Sequence, residues 1–250
     1  ARESDPVARL AEGEYAAIIV RGAFPREECQ SLVRFLIDQE LMFESSDPRI
    51  LDKAIPANRV DRFTQHGLNP QDSLRKRIDI GTSLGNLGDD QEAFLNHAAQ
   101  THELFGRLFT DRPNPIQVIF DNLQKLCEQK RVVTAYEPDG RKYGPAIFRV
   151  HYGGYTYGPH FDSVKNREQR TAYAVHQYDH QLAGILCIQN TTINGVTAQG
   201  IIHRQLWTPE VDSYIKSSRF DEFKQQNDVS HARVDLEPGD LYFFNTGMIH

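Results

Sequence analysis

The stretch YTYGPHFDSV, residues 155–164, sets His160 and Asp162 two positions apart. In an extended chain, residues i and i+2 share one face, so this imidazole and carboxylate aim together while Phe161 turns the other way. Two imidazoles and one carboxylate on one face of an octahedral ion leave three positions open, the donor set that suits a ferrous centre. A second histidine is therefore needed. The best candidate is His250, because EPGDLYFFNTGM (237–248) reads as a Pro-Gly-Asp turn entering an apolar strand whose far end delivers it. His-x-Asp alone arises by chance; its weight comes from the matching turn, strand and histidine downstream.

The elements that must position these residues are short strands. RVVTAY (131–136), PAIFRVHY (145–152), QLAGILCIQ (181–189), QGIIHRQLW (199–207), HARVDL (231–236) and GDLYFFN (239–245) are β-rich runs separated by Gly, Pro, Asn and Asp. One helix-like insertion, PEVDSYIKSSRFDEFKQQ, interrupts them. The first half reads differently. EYAAIIVRGAF predicts a strand closing on a turn, and PREECQSLVRFLIDQEL predicts a helix with Cys29, Leu32, Val33, Leu36 and Ile37 on its apolar face. Further helices are expected from Asp89 through Leu108 and from Pro115 to about Lys130, whereas residues 44–88, rich in Asp, Asn, Pro, Gly and Arg, read as a long irregular segment able to serve as a lid. The expected fold is mostly β: a cupin-like double-stranded β-helix, or jelly roll, over residues 131–250, buttressed by the helices of residues 1–130 in a single domain.

Composition narrows the function classes. Of 250 residues, 39% are hydrophobic and 25% charged, with no apolar run near the roughly 18 residues a membrane span requires, so a membrane protein is not expected. The net charge of -6 leaves no broad basic field for phosphate backbones, which argues against a nucleic-acid partner. Cys29, Cys127 and Cys187 form no CxxC pair, so neither a disulfide framework nor a thiolate zinc site is suggested, and a reducing, cytoplasmic compartment fits.

The order FRVHYGGYTYGPHFD followed by PGD-strand-His resembles the Fe(II)/2-oxoglutarate-dependent oxygenases of double-stranded β-helix fold, over about residues 146–250. AAIIVRGAFPREECQSLV carries a looser likeness to the N-terminal strand and helix of the same family. The nearest likeness is to small-molecule tailoring enzymes, the amino-acid hydroxylases and the carrier-independent alkaloid halogenases. By that resemblance His160, Asp162 and His250 are iron ligands, 2-oxoglutarate and O2 are cosubstrates, and a small amino-acid-like or alkaloid-like metabolite is oxidised at an unactivated C–H bond with release of succinate and CO2. The resemblance also implies that halogenases have a small residue where Asp162 stands, which opens a position for chloride. Hydroxylation is therefore expected first, with oxidative cyclisation or desaturation as in kainoid-type ring formation as the alternative. The arginine that holds the distal 2-oxoglutarate carboxylate is expected beyond residue 250, the jelly roll reading as cut short there. Arg149 is the stand-in for a cosubstrate or substrate carboxylate, and Tyr152 for the phenol that reaches 2-oxoglutarate.

Other residues carry weaker signals. Tyr155 and Tyr157 sit on the approach to His160 and are candidate substrate contacts, with packing as their ordinary role and a bulge expected at Gly153-Gly154. SVKNREQRTAYAV (163–175) reads as a mobile lid or a solvated loop. His176 and His180 stand at i and i+4 but lack the glutamate of a zinc-protease helix, and lie between strand-like runs. His151 and His203 could line a cavity; His66, His97, His102 and His231 carry no spacing signal. The same triad could also hold Zn or Mn in a cupin-like isomerase or a metal-binding module without redox chemistry.

Overall fold

A computed structural model describes residues 5–47, 64–66, 76–127, 130–152 and 157–250. In chain order these form helix α1 (Pro6–Ala11), strand β1 (Ile18–Val20), α2 (Arg26–Asp38), β2 (Thr64–His66), β3 (Lys76–Gly81), α3 (Leu84–Leu87), α4 (Gln91–Leu108) and α5 (Pro115–Leu126). There follow β4 (Ile147–Tyr152), β5 (Leu182–Leu186), β6 (Thr192–Ile193), β7 (Val196–Thr197), β8 (Gln199–His203), α6 (Pro209–Lys216), α7 (Phe220–Gln226), β9 (His231–Asp235) and β10 (Leu241–Asn245). The sheets are all antiparallel and ordered β1-β10-β5, β2-β3-β4, β6-β7 and β8-β9. The architecture is mixed α and β rather than mostly β, and no sheet closes on itself among the described residues.

Strand β10 is buried along its whole length because both faces are covered. Leu241 and Phe243 point to one side, among Leu10 of α1, Leu123 of α5 and Leu186 of β5. Tyr242 and Phe244 point to the other, against Ile202 of β8, Val234 of β9 and Met248. This double burial explains the near-continuous apolar run LYFFN, which period-2 alternation would not produce. The strand's start is fixed by Asp240. Burial pushes that carboxyl up, but the amides of Glu237 and Gly22 and the Arg21 guanidinium outweigh it and hold it below the usual carboxylate range.

Two expectations fail in instructive ways. Strand β3 lies inside the segment 44–88 that composition marks as irregular, and it is the central strand of its sheet. Its signal is the alternation in KRIDIG: Ile78 and Ile80 are fully buried and pack with Leu36, Leu104, Phe105 and Phe148, under a helical layer. Surrounding Asn, Asp and Pro obscure those few residues. Conversely, RVVTAY forms only an isolated bridge, Tyr136 with Lys142, and Val133 and Tyr136 stay exposed. β-branched residues favour a strand only where a neighbour pairs and covers them. The helical insertion is two helices, parted where Ser218 takes a left-handed φ of 58°.

Candidate metal centre

Residues 160–162 and 246–250 run antiparallel. His160 and His250 exchange both backbone bonds, at 2.9 and 2.8 Å, and the Asp162 amide donates to Thr246 O at 2.9 Å. The Thr246 hydroxyl donates back to Asp162 O at 2.8 Å. On its other side the same segment meets residues 203–207, with His203 N–H to Ile249 O at 2.8 Å and Trp207 N–H to Gly247 O at 2.8 Å. Residues 246–250 thus form the middle of three extended segments, delivered by β10 through a turn in which Asn245 Oδ1 accepts from the Gly247 amide. Phe161, between His160 and Asp162, faces away and is buried with Val211, Phe220, Phe223 and Ile249, its ring stacked on Trp207 at 5.2 Å. That packing anchors the backbone from behind, so that its two polar neighbours share the opposite face.

The result is a compact donor set. Among the described residues, His160, Asp162 and His250 are the group able to hold a metal ion, with ligand atoms all within 4.8 Å of one another. His250 Nε2 lies 3.9 Å from Asp162 Oδ2. Each imidazole is oriented through its other nitrogen: His160 Nδ1 is 2.9 Å from Gly158 O, and His250 Nδ1 is 2.9 Å from Met248 O. A carbonyl only accepts, so Nδ1 carries the proton and Nε2 keeps a lone pair for a metal. Burial, reinforced by the neighbouring His160 imidazole, holds His250 well below the ordinary imidazole range and keeps it neutral. The carboxylate is oriented too. Arg167 donates from one Nη1 to Asp162 Oδ1 at 2.5 Å and to Phe161 O at 2.7 Å, leaving Oδ2 toward His250. Two imidazoles that turn Nε2 to the site and one anchored carboxylate fit a divalent ion of the ferrous type.

The other expected residues divide. Tyr157 adjoins the centre, its ring 5.6 Å from the His160 ring, and its hydroxyl lies 3.5 Å from Nε2 of His151 on β4. Arg149 is also on β4, with Nε 3.4 Å from the buried Asp79 carboxylate. Tyr152 faces the helical side, where its hydroxyl donates to Phe43 O at 2.8 Å and accepts from the Phe43 amide at 3.0 Å. Its phenol is therefore bonded to backbone within the cluster under the helical layer. Tyr155 and the Gly153-Gly154 pair lie outside the described residues, as does most of 44–75.

His203 is buried beside Phe220 and His231, and is pushed down to about 4 chiefly by desolvation. His176 falls in a 3-10 turn and His180 lies 3.8 Å from Glu12, so neither joins the triad. His97 meets Thr82 and His102 meets Tyr143 O, in the helical layer. Residues 163–175 are pinned rather than loose: Arg170 binds Asp89 and Glu168, the Tyr173 hydroxyl donates to Gly88 O, and the Ala174 amide donates to the buried Glu137. Arg167 escapes sequence reasoning because an arginine in the polar stretch NREQR carries no spacing signal.

Residues 1–250, the whole chain, match the family described as carrier-protein-independent halogenase WelO5. No curated protein matches the chain significantly. The chain belongs to this family of Fe(II)/2-oxoglutarate-dependent enzymes, which use Fe(II), 2-oxoglutarate and O2 to act on C–H bonds.

Proposed function

We propose that the protein is an Fe(II)/2-oxoglutarate oxygenase that hydroxylates an unactivated C–H bond of a small, amino-acid-like or alkaloid-like metabolite, with His160, Asp162 and His250 as its three iron ligands. The observation that carries this reading is the Asp162 carboxylate, present in the donor set and held by Arg167, at the position where the resemblance implies a small residue in halogenases. A carboxylate there takes the coordination position that a halide needs, and its negative charge opposes a second anion beside it. Hydroxylation follows as the outcome, ahead of chlorination. Four antiparallel sheets, with β1-β10-β5 layered on β8-β9, support a double-stranded β-helix in one domain as the framework.

When bound, iron with 2-oxoglutarate and dioxygen supplies the oxidising power, and succinate and CO2 leave as co-products. The chain's own part is orientation. Gly158 O and Met248 O set the two imidazoles, Arg167 sets the carboxylate, and Phe161, Trp207 and Ile249 form the apolar backing that excludes water from behind the site. A substrate then has to place one C–H bond on the open side, where proximity accounts for much of the rate.

The test is a reaction with Fe(II), 2-oxoglutarate, O2 and saturating chloride over a panel of amino-acid-derived metabolites and alkaloids, read by mass spectrometry. A product heavier by one oxygen is expected. Loss of two hydrogens would replace hydroxylation by cyclisation or desaturation. A chlorinated product from the unaltered protein would overturn the role given to Asp162, and absence of any O2-dependent succinate would favour a cupin-like protein without redox chemistry.

A further inference from the structure

Strands β3 and β4 pair so that Arg77 lies opposite His151 and Asp79 opposite Arg149. Cross-strand partners share a face, and so do residues two apart, so all four side chains stand on one side of the sheet. The other side is the apolar one, where Ile78, Ile80, Phe148 and Val150 meet the helical layer. A polar face on a central strand needs an explanation.

Its centre is Asp79, fully buried and bound by two guanidinium groups: Arg77 Nη2 at 2.8 Å and Arg149 Nε at 3.4 Å. One carboxylate against two arginines leaves a net positive charge on the patch. Donors are left over as well. A guanidinium carries five N–H groups, and the buried Nε of Arg77 has no hydrogen-bond partner. Both arginines are partly open, with side-chain exposures of 24% for Arg77 and 39% for Arg149.

The patch also reaches the metal centre. Arg77 Nη1 donates to the Tyr157 hydroxyl at 3.3 Å, and the Tyr157 ring lies 5.6 Å from the His160 ring. Tyr157 thus stands between Arg77 and a candidate iron ligand, in contact with both. Resting on the reading of His160, Asp162 and His250 as the metal centre, we propose that Arg77 and Arg149, presented by Asp79 and flanked by Tyr157 and His151, bind a carboxylate of the substrate and so select acidic metabolites. The planar fork of arginine suits a carboxylate in a bidentate grip. 2-Oxoglutarate offers the same chemistry, so the two sources must be separated.

The experiment uses the full chain loaded with Co(II), whose absorption reports ligand binding without turnover. 2-Oxoglutarate is titrated first; then, with 2-oxoglutarate bound, N-acetyl-L-glutamate, L-proline and L-leucine are each titrated against their methyl esters. In the unaltered protein at least one acid is expected to bind about tenfold or more tightly than its ester, since a hydrogen-bonded charge pair is worth that factor or more. Arg77→Gln should abolish this preference, Arg77→Lys should restore part of it, and both should bind Co(II) and 2-oxoglutarate within about twofold of the unaltered protein, which also shows that they fold. No acid preferred over its ester, or a preference that survives Arg77→Gln, overturns the proposal. So does a variant that weakens 2-oxoglutarate instead, because the patch would then serve the cosubstrate. Failure of the metal reading looks different: Co(II) absorption would be unchanged by His160→Ala.

Discussion

At the scale of single residues, the centre depends on what stands behind each donor. Arg167 touches no reacting atom in this account; it positions Asp162 by holding Oδ1. Arg167→Gln should weaken Co(II) binding by about tenfold to a hundredfold, as loss of a ligand's hydrogen-bond partner commonly does. Arg167→Lys should recover part of that affinity, and equal affinities in all three proteins would refute the role. Protonation gives a second prediction. His203, pushed down from 6.5 to about 4 by burial, stays neutral in the folded chain while the unfolded chain takes up a proton. Between about pH 6.5 and about pH 4 the unfolded state therefore binds more protons, so stability falls as pH falls through that window. His250, lowered by burial and by His160, acts in the same direction. Urea unfolding of the metal-free protein should show lower stability at pH 5 than at pH 7.5, and equal or greater stability at pH 5 would contradict the assignment.

At the scale of elements, His250 is delivered by one strand and its entry turn. Gly239 has φ of +98°, and a Cβ there would lie 2.2 Å from Phe24 O. Its own carbonyl accepts from the Phe24 amide at 3.0 Å, so the turn cannot simply move away. Gly239→Ala should cost roughly 2 kcal/mol or more of stability, from left-handed strain together with the clash. Thermal unfolding would measure it; a variant as stable as the parent would show that the turn yields. The Pro-Gly-Asp turn, β10 and His250 were legible in the sequence because turn chemistry, an apolar run and a histidine follow one another without interruption. β3 was not, since two isoleucines between charged residues are a short signal in a polar neighbourhood. Nor was the face it forms with β4, because the pairing of Asp79 with Arg149 joins residues far apart in sequence.

At the scale of the whole molecule, the helical layer and the sheets have separate tasks. Helices α2, α4 and α5 supply apolar cover to β3, β4 and β10, and among the described residues no helix is long and apolar enough to cross a membrane. The triad faces away from that cover, beside an arginine pair on the same molecule's β3-β4 face. His-x-Asp and the distant histidine were readable as a metal motif, whereas Arg167, which holds its carboxylate, and Arg77, which reaches Tyr157 beside it, acquire meaning only through their contacts. The family match fixes the class of chemistry, and the proposed outcome, hydroxylation, rests on the carboxylate of Asp162 in the donor set. The most direct test of the account is succinate formed from 2-oxoglutarate with Fe(II) and O2, compared between the unaltered protein, His160→Ala and Asp162→Ala. The account predicts that each substitution abolishes iron-dependent succinate formation; near-normal turnover in His160→Ala would contradict it.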